Sequence, residues 1–212
     1  IEGVAWAEVV RPILTARTVA FNLVMAEGAD VPITRVMNMG TQRIRSEALS
    51  PDGKTVQVIV IVDYETLRML QLIPEQKTAT FIELKDIPEN EVPENILEEM
   101  RNIIAELQND PDVSVESLGE KAMDGRTAKG FRANGPDGEL IVWADLETAL
   151  PIRLEQTWRQ IHFVCMDFQF DVEMDESLFS MEIPEGYSEL PKTELSFEGS
   201  TEEDLVRTLR VW

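Results

Sequence analysis

The fold is decided by residues 113–187, which read VSVESLGEKAMDGRTAKGFRANGPDGELIVWADLETALPIRLEQTWRQIHFVCMDFQFDVEMDESLFSMEIPEGY. Five segments with alternating apolar side chains are separated by turn-forming residues at 124–125, 135–138, 147–151 and 175–177. Short strands at this spacing, joined by tight turns, are typical of an antiparallel meander.

The residues before this stretch predict six more strands, because apolar residues alternate there between turn signals such as Pro51-Asp52-Gly53. Residues 66–73 also fit a helix, but the neighbouring Pro74-bounded hairpin favours a strand. The six strands are expected at 18–26, 34–39, 42–49, 56–62, 66–73 and 78–84.

Three segments predict helices. Residues 4–16 carry one apolar stripe, which Pro12 is expected to kink. Residues 94–108 have apolar side chains at helical spacing, and Asn109-Asp110-Pro111 ends the pattern. A third helix is expected at 202–212, in a C-terminal extension that continues past Trp212. With about ten strands in a row and few helices, the sequence predicts an α+β fold with a single antiparallel sheet.

Composition limits the possible functions. The chain has 212 residues, 43% of them hydrophobic, which is enough for a substantial core. Its 40 acidic residues outnumber 19 basic ones, for a net charge of −21. A surface of this charge repels phosphate backbones, so we expect no nucleic-acid partner.

The sequence predicts no enzyme, no cofactor and no metal site. Nucleotide-binding, serine-hydrolase and zinc-protease motifs are missing from it. The single Cys165 cannot form an intrachain disulfide, and the single His162 lies in an alternating strand pattern. The acidic triplet Asp171, Glu173 and Asp175 would line one solvated strand face. A hydrolase would instead need carboxylates that converge in a cleft.

Three motifs carry a family resemblance: LGE…DGR at 118–126, WAD…TALPIRLE at 143–155 and LFS…PEGY at 178–187. Together they resemble the LolA/LolB and RseB-like, lipoprotein-sorting-like group of bacterial proteins. The most similar members are membrane-anchored and have no assigned function. The resemblance implies an open, curved half-barrel with helices in its concave face, spanning residues 1–190, with 191–212 as an extension. The group commonly has Pro and Gly where this chain has Leu146 and Ala149.

The expected site is an apolar cavity in the concave face, although the same side chains would also suit an ordinary core. Nine methionines, with flexible thioether side chains, suit an adaptable pocket. The expected cavity residues are Phe21, Leu23, Met25, Met37, Met39, Met69, Phe81, Met100, Ile104, Phe131, Trp143 and Trp158.

The resemblance implies a non-enzymatic binding domain for a lipid acyl chain or a lipoprotein. The alternative is a regulatory or sensor module that binds an anti-sigma-type or other envelope protein. Ala5-Trp6-Ala7 has the small-x-small form of a signal-peptidase site, although plain helix residues would look the same. We therefore expect a periplasmic location, with a membrane helix or signal peptide upstream of Ile1.

Overall fold

The computed structural model describes residues 5–25, 32–40, 43–85, 96–109, 115–135, 138–158 and 161–196. These ranges contain two α-helices, one short 3-10 helix and thirteen strands of a single sheet. The helices are α1 (Trp6–Thr15) and α2 (Ile96–Asn109). The strands are β1 (Thr18–Val24), β2 (Thr34–Met39), β3 (Arg43–Leu49), β4 (Val56–Asp63), β5 (Arg68–Ile73), β6 (Thr78–Lys85), β7 (Val115–Met123), β8 (Arg126–Gly135), β9 (Gly138–Asp145), β10 (Pro151–Trp158), β11 (Ile161–Phe170), β12 (Ser188–Glu189) and β13 (Thr193–Ser196).

The sheet consists of two meanders that meet at one seam. The strand order is β12-β6-β5-β4-β3-β2-β1-β11-β10-β9-β8-β7, and β13 also pairs with β6. All neighbours are antiparallel except β12 and β13, which run parallel to β6. The sheet is open and half-barrel-like, and the helices lie in its concave face. The predicted fold class is therefore confirmed.

The six strands predicted before residue 85 are confirmed, including 66–73 as β5, and so are helices α1 and α2. Two details of the second meander were wrong. The segment expected as one strand at 152–174 is the pair β10 and β11, whose connection contains Arg159 and Gln160 and no turn-former. The segment 178–187 is not a strand. Its first two residues belong to a 3-10 helix at Glu176–Phe179, and Met181, Ile183 and Tyr187 pack on the buried cluster of β4–β6.

The short parallel strands β12 and β13 were not predicted. They add the C-terminal part of the described chain to the edge of β6. A salt bridge between Lys85 and Glu194 joins the two strands there. The sheet thus continues to residue 196, past the expected boundary at 190. The division into a domain and an extension stays a prediction, and the helix expected at 202–212 lies outside the described residues.

Two hairpins use the same turn, with the sequence Asp-x-Glu-Thr. At the end of β4, Asp63 Oδ1 accepts hydrogen bonds from the backbone N–H groups of Glu65 and Thr66, at 3.0 and 3.2 Å. At the end of β9, Asp145 Oδ1 accepts two equivalent bonds, both at 2.9 Å. The residue after Thr has a positive φ in each turn, 50° at Leu67 and 59° at Ala149. Ala149 thus adopts the left-handed conformation that glycine favours, and the hairpin forms without a glycine.

The two faces of the sheet are covered by different parts of the chain. On the concave face, α1 and α2 cover a large buried cluster that reaches from β3 to β8. On the convex face, the segment 176–187 covers a smaller cluster on β4–β6, which contains Ile61, Leu70, Leu72 and Ala79. Arg45 on β3 fixes this segment, because its Nη1 donates to the carbonyl oxygen of Leu178 at 3.0 Å.

Candidate functional site

The concave face is the candidate site, and α1 covers one part of it. Val9, Val10 and Ile13 are fully buried against the sheet. The helix begins at a half capping box, in which the backbone N–H of Ala5 donates to the Glu8 carboxylate at 2.9 Å. Pro12 lies inside the helix, and its carbonyl oxygen accepts the closing bond from Ala16 N at 2.9 Å; the expected kink stays a prediction.

Helix α2 covers the next part and is bound to α1 by Arg101. Arg101 Nε donates to the carbonyl oxygen of Ile13 at 3.0 Å, and Nη2 donates to that of Ala16. The same guanidinium pairs with Glu98, one turn earlier in α2. Carbonyls at the C-terminal end of a helix lack helical partners and carry partial negative charge, so a cation there is favourable. The two helices are therefore linked as a pair.

The side chains that the helix pair buries against the sheet are apolar. Leu97, Met100 and Ile104 of α2 join those of α1 over Phe21 and Phe131. Phe21 stacks on Phe168 with a centroid distance of 5.4 Å, and Phe168 stacks on Phe170 at 5.6 Å. The candidate site is thus a layer of aliphatic and aromatic side chains between two helices and a sheet.

This layer also encloses polar groups, among them the side-chain amide of Asn38, whose backbone pairs with Val19, and the indole N–H of Trp6. The Trp6 ring lies 5.9 Å from the ring of Phe131, at an angle of 57°. Its Nε1 is shielded from solvent and has no hydrogen-bond acceptor within the described part of the chain. Lys129 Nζ lies 5.4 Å from the centroid of the same Phe131 ring. A buried donor without an acceptor costs about 1–3 kcal/mol, and buried indoles usually find a partner.

Six of the twelve expected cavity residues lie on the concave face. Phe21, Met100, Ile104 and Phe131 share the helix-covered cluster, and Leu23 packs against it. Met69 is on the same face but belongs to a separate cluster with Val60 and Ile82. Met25 follows β1 and is 37% exposed. Trp158 ends β10, and its side chain is outside what the structure describes. Ligand binding by these residues stays a prediction.

Four expected cavity residues lie on the convex face instead, which corrects their placement: Met37, Met39, Phe81 and Trp143. Paired residues share a face, and Phe21 pairs with Val36, so the next residue, Met37, points to the other side. Trp143 likewise follows Val142 of the concave cluster. For Met37, Phe81 and Trp143, an apolar neighbour occupies the other face, so the pattern could not fix the face; beside Met39, the polar Asn38 is the residue that points to the concave side.

Trp143 instead fills a packing position on β9. It pairs with Gly130, where an added Cβ would lie 2.5 Å from the indole ring. Lys121 Nζ sits over the ring, 3.6 Å from its centroid. The side chain is only 8% exposed. Gly130 is therefore required for the close approach of Trp143 to the sheet, and this tryptophan stabilises the outside of the half-barrel.

The titratable groups of the described residues form no evident reaction centre. Burial raises the pKa of the Cys165 thiol. The backbone N–H of Thr148, aided by that of Glu147 and by Arg126, lowers the pKa of Asp145 below its ordinary range. His162 Nδ1 lies 3.1 Å from Thr157 Oγ1 on the neighbouring strand. Across the described ranges, no three His, Cys, Asp or Glu side chains come together as metal ligands.

Two residues that make specific contacts at the candidate site were not predicted as site residues. Trp6 was expected only as part of the apolar stripe of α1. Arg101 lies on the polar side of α2, and a single arginine in a helix carries no signal for its distant partners Ile13 and Ala16. Neither α1 nor α2, the α-helices of the described chain, is long and apolar enough to cross a membrane.

Comparison with known proteins gives a match in structure only. The chain matches no protein-family model and no curated protein sequence. Its fold is similar to that of LprF from Mycobacterium bovis, with a TM-score of 0.52 and 11% identity over 85% of this chain and 94% of LprF. Lipoprotein LppX from Mycobacterium tuberculosis aligns with a TM-score of 0.49 and 8% identity, over 79% of this chain and 93% of LppX.

A structure of the MucA/MucB complex from Pseudomonas aeruginosa also aligns, with a TM-score of 0.46 and 13% identity over 82% of this chain and 59% of the other. At these identities the likeness concerns the fold. The likeness to LprF, together with the open sheet and its helix-covered concave face, agrees with the fold that the resemblance to the LolA/LolB and RseB-like group implies.

Proposed function

We propose that this protein is a non-enzymatic binding domain that holds the acyl chain of a lipid or lipoprotein in its concave face. The observation that carries the proposal is the apolar layer between the helix pair and the open sheet. Among the described residues, α1 and α2 are the helices that cover this face. Any displacement of α1 and α2 therefore exposes an apolar surface, which an acyl chain can occupy.

Burial of an acyl chain supplies the driving force for this function. Each methylene group removed from water contributes about 0.8 kcal/mol. A chain of sixteen carbons therefore gains roughly 12 kcal/mol before the cost of moving the helices and ordering the ligand. The link between α1 and α2 through Arg101 lets the helices move together, which limits that cost.

The experiment is native mass spectrometry of the purified protein, followed by solvent extraction and uptake of a fluorescent fatty acid. We expect a co-purified acyl species or uptake of the probe. Met100→Gln should weaken uptake, because it places an amide in the apolar layer. The matched control is Met37→Gln, which makes the same change on the convex face. Equal uptake by both variants, or none by the wild-type protein, would contradict the proposal.

A protein partner is the second candidate, and β7 is the observation that favours it. This strand forms one end of the sheet, and seven of its nine residues are exposed. An exposed edge can pair with a strand of another protein, such as an anti-sigma-type or envelope protein. Lys121→Pro in β7 should abolish such binding and leave fatty-acid uptake intact. Retained partner binding by this variant would exclude pairing at β7.

We also propose that the domain works outside the cytoplasmic membrane, attached to it or released into the periplasm, as the resemblance implies. Fractionation of cells that produce the full-length protein tests this location. Recovery in the cytoplasmic fraction would contradict it.

A further inference from the structure

The indole N–H of Trp6 is a donor that the described chain does not use. Trp6 lies in the first turn of α1 and packs on Phe131 at the edge of the apolar layer. Its Nε1 is enclosed, and no acceptor lies within hydrogen-bond distance among the described residues. A donor inside an apolar layer is unfavourable unless something else supplies the acceptor.

The surroundings of Trp6 indicate which chemical group can supply this acceptor. Most neighbouring side chains of the layer are hydrocarbon or aromatic, and none of the described residues places an acceptor within hydrogen-bond distance of Nε1. A pure hydrocarbon offers no acceptor. An ester or amide carbonyl attached to an acyl chain offers one, directly beside the methylene groups that the layer would bury.

We propose that Trp6 Nε1–H donates a hydrogen bond to the carbonyl oxygen of a bound acyl ester or amide, and thereby selects acyl over alkyl ligands. This inference rests on the proposed function, because it needs a chain bound in the concave face. It adds the ligand class: lipids whose chain is joined through a carbonyl group. Ether-linked chains of the same length bind more weakly.

The test compares two soluble probes that differ in this group alone. One is palmitoyl lysophosphatidylcholine, with an ester carbonyl, and the other is its hexadecyl ether analogue. Wild-type protein is expected to bind the ester more tightly by roughly 2- to 10-fold, the usual range for one net hydrogen bond. Trp6→Phe should bind both probes equally, at about the affinity of the wild-type protein for the ether.

Trp143→Phe is the matched control, since it removes an indole from the convex face and should leave the ester-to-ether ratio unchanged. A second measurement uses the wild-type protein itself. The Trp6 indole resonance, assigned by its loss in Trp6→Phe, should move downfield in ¹H–¹⁵N spectra with the ester and not with the ether.

The outcomes separate this inference from the proposed function. Equal binding of both probes by the wild-type protein would overturn the role of Trp6, with water alone satisfying the indole, and leave acyl binding intact. An unchanged ester preference in Trp6→Phe would also overturn it. Binding of neither probe would overturn the proposed function together with this inference.

Discussion

The β8–β11 end and the β4–β6 end of the sheet are covered on opposite faces. At β8–β11, the helix pair α1 and α2 covers the concave face. At β4–β6, the segment 176–187 covers the convex face, where Met181, Ile183 and Tyr187 pack on the buried cluster. The two covers come from distant parts of the chain and rest on separate clusters. One cover can therefore move without loss of the other, as a binding domain with a displaceable helix pair requires.

The largest effect is expected from truncation in either cluster. Leu70→Ala on the convex face and Ile104→Ala in α2 remove fully buried side chains, and each should lower the free energy of unfolding by about 2–5 kcal/mol. Only Ile104→Ala should also weaken fatty-acid uptake. Urea titrations and uptake assays on both variants check this. Equal loss of uptake in both would show that the two ends are coupled.

The second-largest effect is expected from Arg101, whose substitution should loosen the helix pair and leave the sheet unchanged. Arg101→Met keeps the apolar stem but removes the bonds to Ile13 and Ala16. We expect a loss of about 1–3 kcal/mol, because the helix end loses a charged donor. Hydrogen exchange should become faster in α1 and stay unchanged in β4–β6. Faster exchange across the whole sheet would contradict an independent helix pair.

A smaller effect distinguishes the two related turns. Arg43 Nη2 lies 3.2 Å from Asp63 Oδ2, whereas Arg126 Nη1 lies 3.8 Å from Asp145 Oδ2. The Asp63 side chain is 6% exposed and that of Asp145 13%. Asp63→Ala should therefore cost about 2–3 kcal/mol and Asp145→Ala about 1–2 kcal/mol. Thermal unfolding of both variants measures the difference, and the reverse order would contradict this prediction.

The smallest effect is a pH dependence at Asp145. The N–H groups of Thr148 and Glu147, with Arg126, lower the pKa of this carboxyl in the folded state. Its contribution to stability is therefore complete above the ordinary Asp pKa of about 3.9 and is lost as the pH falls through the lowered value. Asp145→Asn should unfold with a flatter acid dependence than the wild-type protein. Identical acid profiles would show that the turn does not depend on this charge.

The sequence predicted the strands well because their signals are local. Alternation and turn-formers at Asp124-Gly125 and Pro51-Asp52-Gly53 mark where strands begin and end. The division between β10 and β11 was missed because Arg159 and Gln160 in the sequence give no such signal. Strands β12 and β13 were missed because short polar segments become strands only through pairing with β6.

The candidate site was less predictable, because it depends on which face each side chain occupies. Met37 and Val36 are both apolar, as are Phe81 and Ile82. The alternation therefore does not determine which of the two side chains points to the concave face. The repeated sequence Asp-x-Glu-Thr can be read directly in the chain, but four residues are too few to predict the conformation of a turn. Arg101 binds carbonyl oxygens of α1 that are distant in sequence, and the Trp6 indole N–H has no acceptor among the described residues. Both facts follow only from the three-dimensional arrangement.

The seam between β1 and β11 has a consequence for how the protein folds. It pairs Val19 with Phe170 and Leu23 with Cys165, so residues about 150 positions apart must meet. Hairpins within each meander close short loops and form quickly, whereas such distant pairing is slow. Until β11 is available for pairing, the β1 edge of the first meander is open to other chains. We expect newly made protein to depend on chaperones until this last pairing joins the two meanders.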